Sequence, residues 1–270
     1  MHPMSSVTPI RFTGTFHSAF AVNGPGCAGC RDGEELGFDF SYAYQPIVDL
    51  DNNTIFAHEA LVRGPEGEPA SSVLGRVTDD NRYRFDQACR RKAIEGAADI
   101  GLSQRLSINF LPNAIYQPEV CIRTTLEAAH EHDFPVERII FEATEGDRVE
   151  DAARLAAILR YYQRSGFLTA IDDFGAGYAG LTLLAEFQPD IIKLDMALVR
   201  NIDSSVPRQA IVKGLMRTCS DLGIQVIAEG IETLAERDFF YNEGVRLMQG
   251  YLFSKPAFQS PGSINPSSWV

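Results

Sequence analysis

No stretch of this 270-residue chain approaches the roughly 18 consecutive apolar residues that a membrane-spanning helix needs. The N-terminus (MHPMSSVTPIRFTGTF) lacks a basic start followed by an apolar core, so no secretory leader is expected and the reading is cytoplasmic. Positive charge is scarce: 24 Lys and Arg stand against 36 Asp and Glu, a net charge of −12. That balance argues against a nucleic-acid polymer as partner, because a phosphate backbone needs a basic surface. A small anionic substrate remains compatible if bound cations supply local positive charge. Cysteines number only five. Cys89, Cys121 and Cys219 sit singly in helix-like stretches and read as reduced, mostly buried thiols. Cys27 and Cys30, even with nearby His17, fall one ligand short of a structural zinc site. No internal repeat or low-complexity segment is found.

What the chain does have is a regular alternation. Eight apolar or β-branched runs, at 42–49, 55–62, 106–110, 139–143, 168–172, 191–194, 225–228 and 247–251, read as strands. Segments with apolar positions at helical spacing lie at 81–100, 118–132, 148–165, 208–222 and 233–243. Strand alternating with helix implies a parallel sheet. The first connection, DLDNNT at 49–54, is too short for a parallel crossover, so the first two strands should form an antiparallel hairpin. The expected fold is therefore an α/β, TIM-like (β/α)8 barrel with its first strand antiparallel. Residues 1–39 read as an irregular extension, 40–258 as the barrel domain and 259–270 as a tail.

Polar residues interrupt these apolar strands near their C-terminal ends, where a barrel of this kind carries its active site. They are Glu59, Asn109, Glu142, Asp172, Asp173, Lys193, Asp195, Glu229 and Gln249. A lone acid at a strand end is ordinarily a helix cap or a solvated loop residue. Five acids around one mouth would repel one another, and hard divalent cations, which favour oxygen ligands, relieve that repulsion. His58 alternates to the opposite face of its strand from Glu59 and reads as structural, so a His/Cys zinc centre is not expected. Lys193 reads as charge stabilisation beside the reacting group, or else as a buried lysine paired with an aspartate. Two cations so placed suit phosphodiester hydrolysis.

The motifs QPI (45–47), EALVR (59–63), Asn109, EATE (142–145), DDFGAGY (172–178), KLD (193–195), AEGIE (228–232) and QGYLFSKP (249–256) resemble the EAL-domain phosphodiesterases. That resemblance implies hydrolysis of cyclic di-GMP to linear pGpG on a TIM-like barrel with one antiparallel strand. It implies two Mg²⁺ or Mn²⁺ ions held by Glu59, Asn109, Glu142, Asp172, Asp173 and Glu229, with Asp173 bridging, and Ca²⁺ as an inhibitor. Lys193 would orient or activate the water, and Gln249 would hold the hydrogen-bond network. Together with Glu59 and Glu229, they form the expected catalytic set. Gln45, Arg63 and Asp195 would meet substrate. Glu145 would pin the loop after Asp173, Glu232 would brace its own loop, and a homodimer is expected. The chain also resembles the subgroup found beside blue-light photoreceptor domains, although no photoreceptor or cyclase segment is evident. The other outcome compatible with these motifs is a catalytically silent cyclic di-GMP sensor acting through protein partners, but every expected ligand position is filled.

Overall fold

The computed structural model describes residues 36–115, 117–144, 152–177 and 180–269. The expectations placed on His17, Cys27, Cys30 and Glu145 lie outside these residues. Among the described residues, no helix is long and apolar enough to cross a membrane.

Strands β1 (Ser41–Asp49) and β2 (Thr54–Arg63) form the expected antiparallel hairpin, turned at Asn53 with a φ of 50°. Asparagine tolerates this left-handed backbone better than most residues. β3 (Arg105–Asn109), β4 (Ile139–Thr144), β5 (Leu168–Phe174), β6 (Ile191–Leu194), β7 (Gln225–Ala228) and β8 (Leu247–Met248) follow in parallel. β1 pairs antiparallel with both β2 and β8 and closes the barrel.

The connections carry α1 (Ala70–Leu74), α2 (Arg82–Asp99), α3 (Pro118–Cys121), α4 (Arg123–Glu131), α5 (Ala152–Arg164), α6 (Gly180–Glu186), α7 (Met196–Val199), α8 (Val206–Leu222) and α9 (Leu234–Asn242). Local sequence sets several boundaries. Thr233 and Glu236 form a reciprocal capping box at the start of α9, and Gly223, at a φ of 72°, ends α8.

Two expectations need correction. The helix read over 118–132 is two, α3 and α4, joined at Ile122, although its apolar spacing runs through the joint. β8 stops at Met248 rather than Tyr251. At Gly250 a side chain would overlap the backbone of Ile231, and Leu252 N donates to Ile231 O, so the chain leaves the ladder there. β9 (Ala257–Phe258) pairs with β1, and residues 259–269, read as a tail, stay bonded to the barrel, with Gln259 N donating to Tyr42 O at 3.0 Å and Asn265 N to Phe253 O at 2.8 Å.

An ion pair outside the strands, between Arg90 and Asp86, is fully buried. The Arg90 guanidinium donates to Asp86, whose other oxygen accepts Leu111 N at 2.8 Å. Arg90 also reaches Tyr162 Oη at 3.3 Å and Cys121 O at 3.4 Å, and so ties α2 to α5 and to the end of α3. Removing one partner strands a buried charge. Asp86→Ala is expected to destabilise by about 3–5 kcal/mol in urea unfolding. Asp86→Ala combined with Arg90→Met should recover most of that loss.

Candidate functional site

The barrel interior is built in layers by the two-residue period of a strand. One buried layer is apolar: Ile47, Ala57, Ile140, Ala170, Ile191, Ile227 and Leu247. Two residues further toward the C-terminal mouth, the same faces carry Glu59, Glu142, Asp172, Lys193, Glu229 and Gln249. β1 runs the other way, so its counterpart of Ile47 is Gln45, two residues earlier. The apolar layer is a floor beneath the polar layer.

Lys193 is fully buried at the centre of this polar layer. Its Nζ lies 2.8 Å from Glu229 Oε1, 2.9 Å from Glu142 Oε2, 3.0 Å from Asp172 Oδ1 and 3.4 Å from Glu59 Oε2. The pairing with an aspartate that the sequence allowed is present at Asp172, and three glutamates share the same ammonium. Gln249 Nε2 donates to Glu59 Oε2 at 2.8 Å and to Gln45 Oε1 at 3.2 Å, and Asn109 Nδ2 donates to Glu59 Oε1 at 3.1 Å. Ser107 Oγ donates to Glu142 Oε1. Sequence reading passed over Ser107, although it lies two positions before Asn109 on the same strand face.

Asp173 enters the site by a different route. A register break in β5 between Ile171 and Phe174 places it at a φ of 52°, in the left-handed region. Ordinary alternation would turn neighbouring Asp172 and Asp173 to opposite faces. The irregularity lets both reach one cluster. Backbone strain of this kind in a non-glycine residue is typical of functional sites.

One ammonium charge faces five carboxylates, and protonation must absorb part of the imbalance. Burial, reinforced by Glu59 and Asp172 against the opposing pull of Lys193, pushes Glu142 up to about 8. Burial also raises Glu229 well above the usual range. Asp173 rises to about 6, through burial and the charges of Asp172 and Asp195. Asp172 goes the other way: burial opposes its charge, but Lys193 and hydrogen bonds hold it below its usual value. Lys193 is itself held well above the ordinary lysine range, because the carboxylates overcome its desolvation.

The residues fit a pair of hard cations. Two sets of carboxylates, Glu59/Glu142/Asp172 and Asp172/Asp173/Glu229, each bring ligand atoms within 4.8 Å of one another. Asp172 is common to both sets, whereas the family resemblance assigns the bridge to Asp173. Gln249 Oε1 is buried with no hydrogen-bond partner among the described residues. Oxygen-only donors at this density suit Mg²⁺ or Mn²⁺ rather than zinc.

The remaining expected residues lie around this centre. Gln45 Nε2 donates to Ser254 O at 3.1 Å. Arg63 ends β2 on the rim, its Nη1 donating to Val62 O at 2.7 Å. Asp195 caps α7 by accepting Ala197 N at 2.8 Å, and it also contacts Asp173. Glu232 turns outward to Arg200, 2.7 Å away. His58 faces away from the cluster, buried, with Nε2 3.1 Å from Pro261 O.

The EAL domain family profile matches residues 36–256. A standalone EAL protein from Vibrio cholerae O395, solved in its c-di-GMP-bound form, superposes with a TM-score of 0.84 at 56% identity, covering 87% of this chain and 99% of that one. The blue light- and temperature-regulated antirepressor BluF of Escherichia coli K12 is 34% identical over 83% of this chain and 56% of its own length. The cyclic di-GMP phosphodiesterase PdeR of the same organism is 33% identical over 58% of this chain and 24% of its own. The chain thus spans about half or less of these curated relatives.

Proposed function

The chain belongs to the EAL domain family, and on that premise we propose that it hydrolyses cyclic di-GMP to linear pGpG with two divalent cations, Mg²⁺ or Mn²⁺. The observation that carries the reading is the convergence of Glu59, Glu142, Asp172, Asp173 and Glu229 on one polar layer above a closed apolar floor. In this reading those five acids and Asn109 hold the cations. Bound there, the cations lower the pKa of a coordinated water and neutralise charge on the phosphate.

The chain's own groups do the rest. Lys193, with its Nζ 2.8–3.4 Å from four of these carboxylates, is placed to orient or activate the attacking water. Gln249 fixes the rotamer of Glu59. Gln45, Arg63 and Asp195 receive the dinucleotide, with the Arg63 guanidinium suited to a phosphate. The water oxygen forms a bond to phosphorus as the bond to the ribose 3′-oxygen breaks, and the proton that the water gives up balances the one that the leaving 3′-oxygen takes from solvent. The apolar floor excludes water from below. Glu232, through Arg200, braces the loop after β7. A homodimer is part of the proposal. Leu181 on α6 and Met196 on α7, both well exposed, offer apolar surface on the elements that follow β5 and β6.

Turnover with Mg²⁺ or Mn²⁺, followed by separation of pGpG, tests this reading. Tight binding without product at any metal concentration would favour a sensor that acts through partners. Ca²⁺ is expected to inhibit, because its longer bonds and looser geometry fit a compact two-cation site poorly. Addition of Ca²⁺ to the Mg²⁺-supported reaction checks this.

Metal affinity should rise with pH. Glu142 at about 8 and Asp173 at about 6 must lose protons to act as ligands, so Mn²⁺ binding is expected to strengthen steadily from pH 6 to 8 and to release protons in calorimetry. With chelator present the sign reverses for stability. An acid whose folded pKa is raised favours the folded state at low pH and loses that contribution as pH climbs through the folded value. The chelated protein should therefore become less stable between pH 5 and 8.

A further inference from the structure

The matched family region ends at residue 256, yet residues 257–269 are bonded to the barrel along their length. The reason lies in the hairpin. With no crossover helix between β1 and β2, part of their outer face needs cover. α2 covers Tyr42 and Tyr44, whose hydroxyls donate to Cys89 O and Ala93 O at 3.0 and 3.2 Å. The C-terminal segment covers the rest: Gln259 N donates to Tyr42 O at 3.0 Å, Pro261 O meets His58 Nε2, and Gly262 packs beside Pro46. Arg237 Nη1 holds its far end through Ser268 O at 2.9 Å and Trp269 O at 2.8 Å.

Two of its contacts lead back to the site. Asn265 N donates to Phe253 O at 2.8 Å, beside Ser254, whose carbonyl accepts from Gln45. From Gln45 the hydrogen bonds continue through Gln249 to Glu59. On the other side, the Phe258 ring covers Gly67, which has a φ of 90°, in the turn that follows Arg63.

We propose that residues 257–269 are a strap that positions substrate-binding groups, with Asn265 setting Gln45 through the Phe253–Ser254 carbonyls and Phe258 setting the turn after Arg63. Asn265 and Phe258 are positioning residues that never meet the substrate. The assignment rests on the proposed cyclic di-GMP reading.

Asn265→Pro isolates the key bond. The native φ of −63° is already that of proline and the ψ of 116° suits a residue before Pro266, so the change deletes the N–H with little backbone strain. Asn265→Ala loses the side-chain contacts but keeps the N–H. Full-length protein would be titrated with cyclic di-GMP in Ca²⁺ and assayed for turnover in Mg²⁺. Asn265→Pro is expected to weaken binding and raise KM about 3- to 10-fold, the weight of one hydrogen bond, with kcat within about 2-fold. Asn265→Ala should lose less. In a Gln45→Ala background, Asn265→Pro should add almost nothing, whereas a merely structural lesion would add its full effect. Unchanged KM in Asn265→Pro, or fully additive losses, would overturn the proposal. If Asn265→Pro does not fold, Phe258→Ala decides alone: a raised KM supports the strap and an unchanged KM refutes it. A readout independent of substrate separates this from failure of the functional reading. The side-chain amide NMR signals of Gln45 and Gln249 should shift in Asn265→Pro and stay near their native positions in Asn265→Ala. If they do not move in Asn265→Pro, the strap does not reach the site.

Discussion

Glu59→Ala is expected to leave a folded protein whose hydrolysis of cyclic di-GMP falls by about 1,000-fold or more, equivalent to roughly 4 kcal/mol of transition-state stabilisation. Glu59 belongs to one of the two carboxylate sets and receives hydrogen bonds from both Asn109 and Gln249, so its loss removes a ligand and frees two of that ligand's neighbours. Stability should respond differently. Glu59 is one of the charges that raise Glu142 and Glu229, so its removal relieves repulsion. The thermal midpoint in chelator should hold or rise while activity disappears. A variant with near-native turnover after chelation and metal resupply would refute the site assignment.

The second large effect is expected at Lys193. Its ammonium is the positive charge shared by Glu59, Glu142, Asp172 and Glu229, and all five groups are largely or wholly buried. Lys193→Met leaves those acids without a counter-charge. With chelator present, the variant should lose on the order of 3 kcal/mol of stability, because breaking a buried ion cluster from one side exposes the full desolvation penalty of the rest. Divalent cations take over the same electrostatic task, so Mn²⁺ should raise the midpoint of Lys193→Met by more than it raises that of the wild type. Activity should not return with stability, since the water would still lack its donor. Recovery of both on adding Mn²⁺ would reduce Lys193 to a structural counter-ion.

Much of this was legible in the sequence because barrel strands carry a strict period. Once Ile47, Ala57, Ile140 and their equivalents are aligned as floor positions, the residues two steps toward the mouth follow. The short 49–54 link dictated the reversed first strand in the same way. The period also contains Ser107, which was overlooked because a serine in an apolar strand carries no charge to draw notice. Three features were hidden for physical reasons. The left-handed backbone of Asp173 depends on a register break that no residue preference announces. The early end of β8 follows from the close approach of Gly250 to Ile231, a contact between segments far apart in sequence. The docking of residues 257–269 combines hydrogen bonds to main-chain atoms with isolated apolar contacts from Ile264 and Trp269, and it lacks the apolar repeat that would mark it as structure. Lys193 was legible as a residue but not as a centre: its four partners come from four separate strands, and only closure of the barrel brings them together.

Diffraction from crystals grown with Mn²⁺ and cyclic di-GMP, collected at the manganese absorption edge, tests the central claim most directly. The account predicts two anomalous peaks inside the mouth, one bounded by Glu59, Glu142 and Asp172 and the other by Asp172, Asp173 and Glu229. Peaks confined to the outer surface, or a polar layer that takes up no manganese while the dinucleotide is bound, would contradict it.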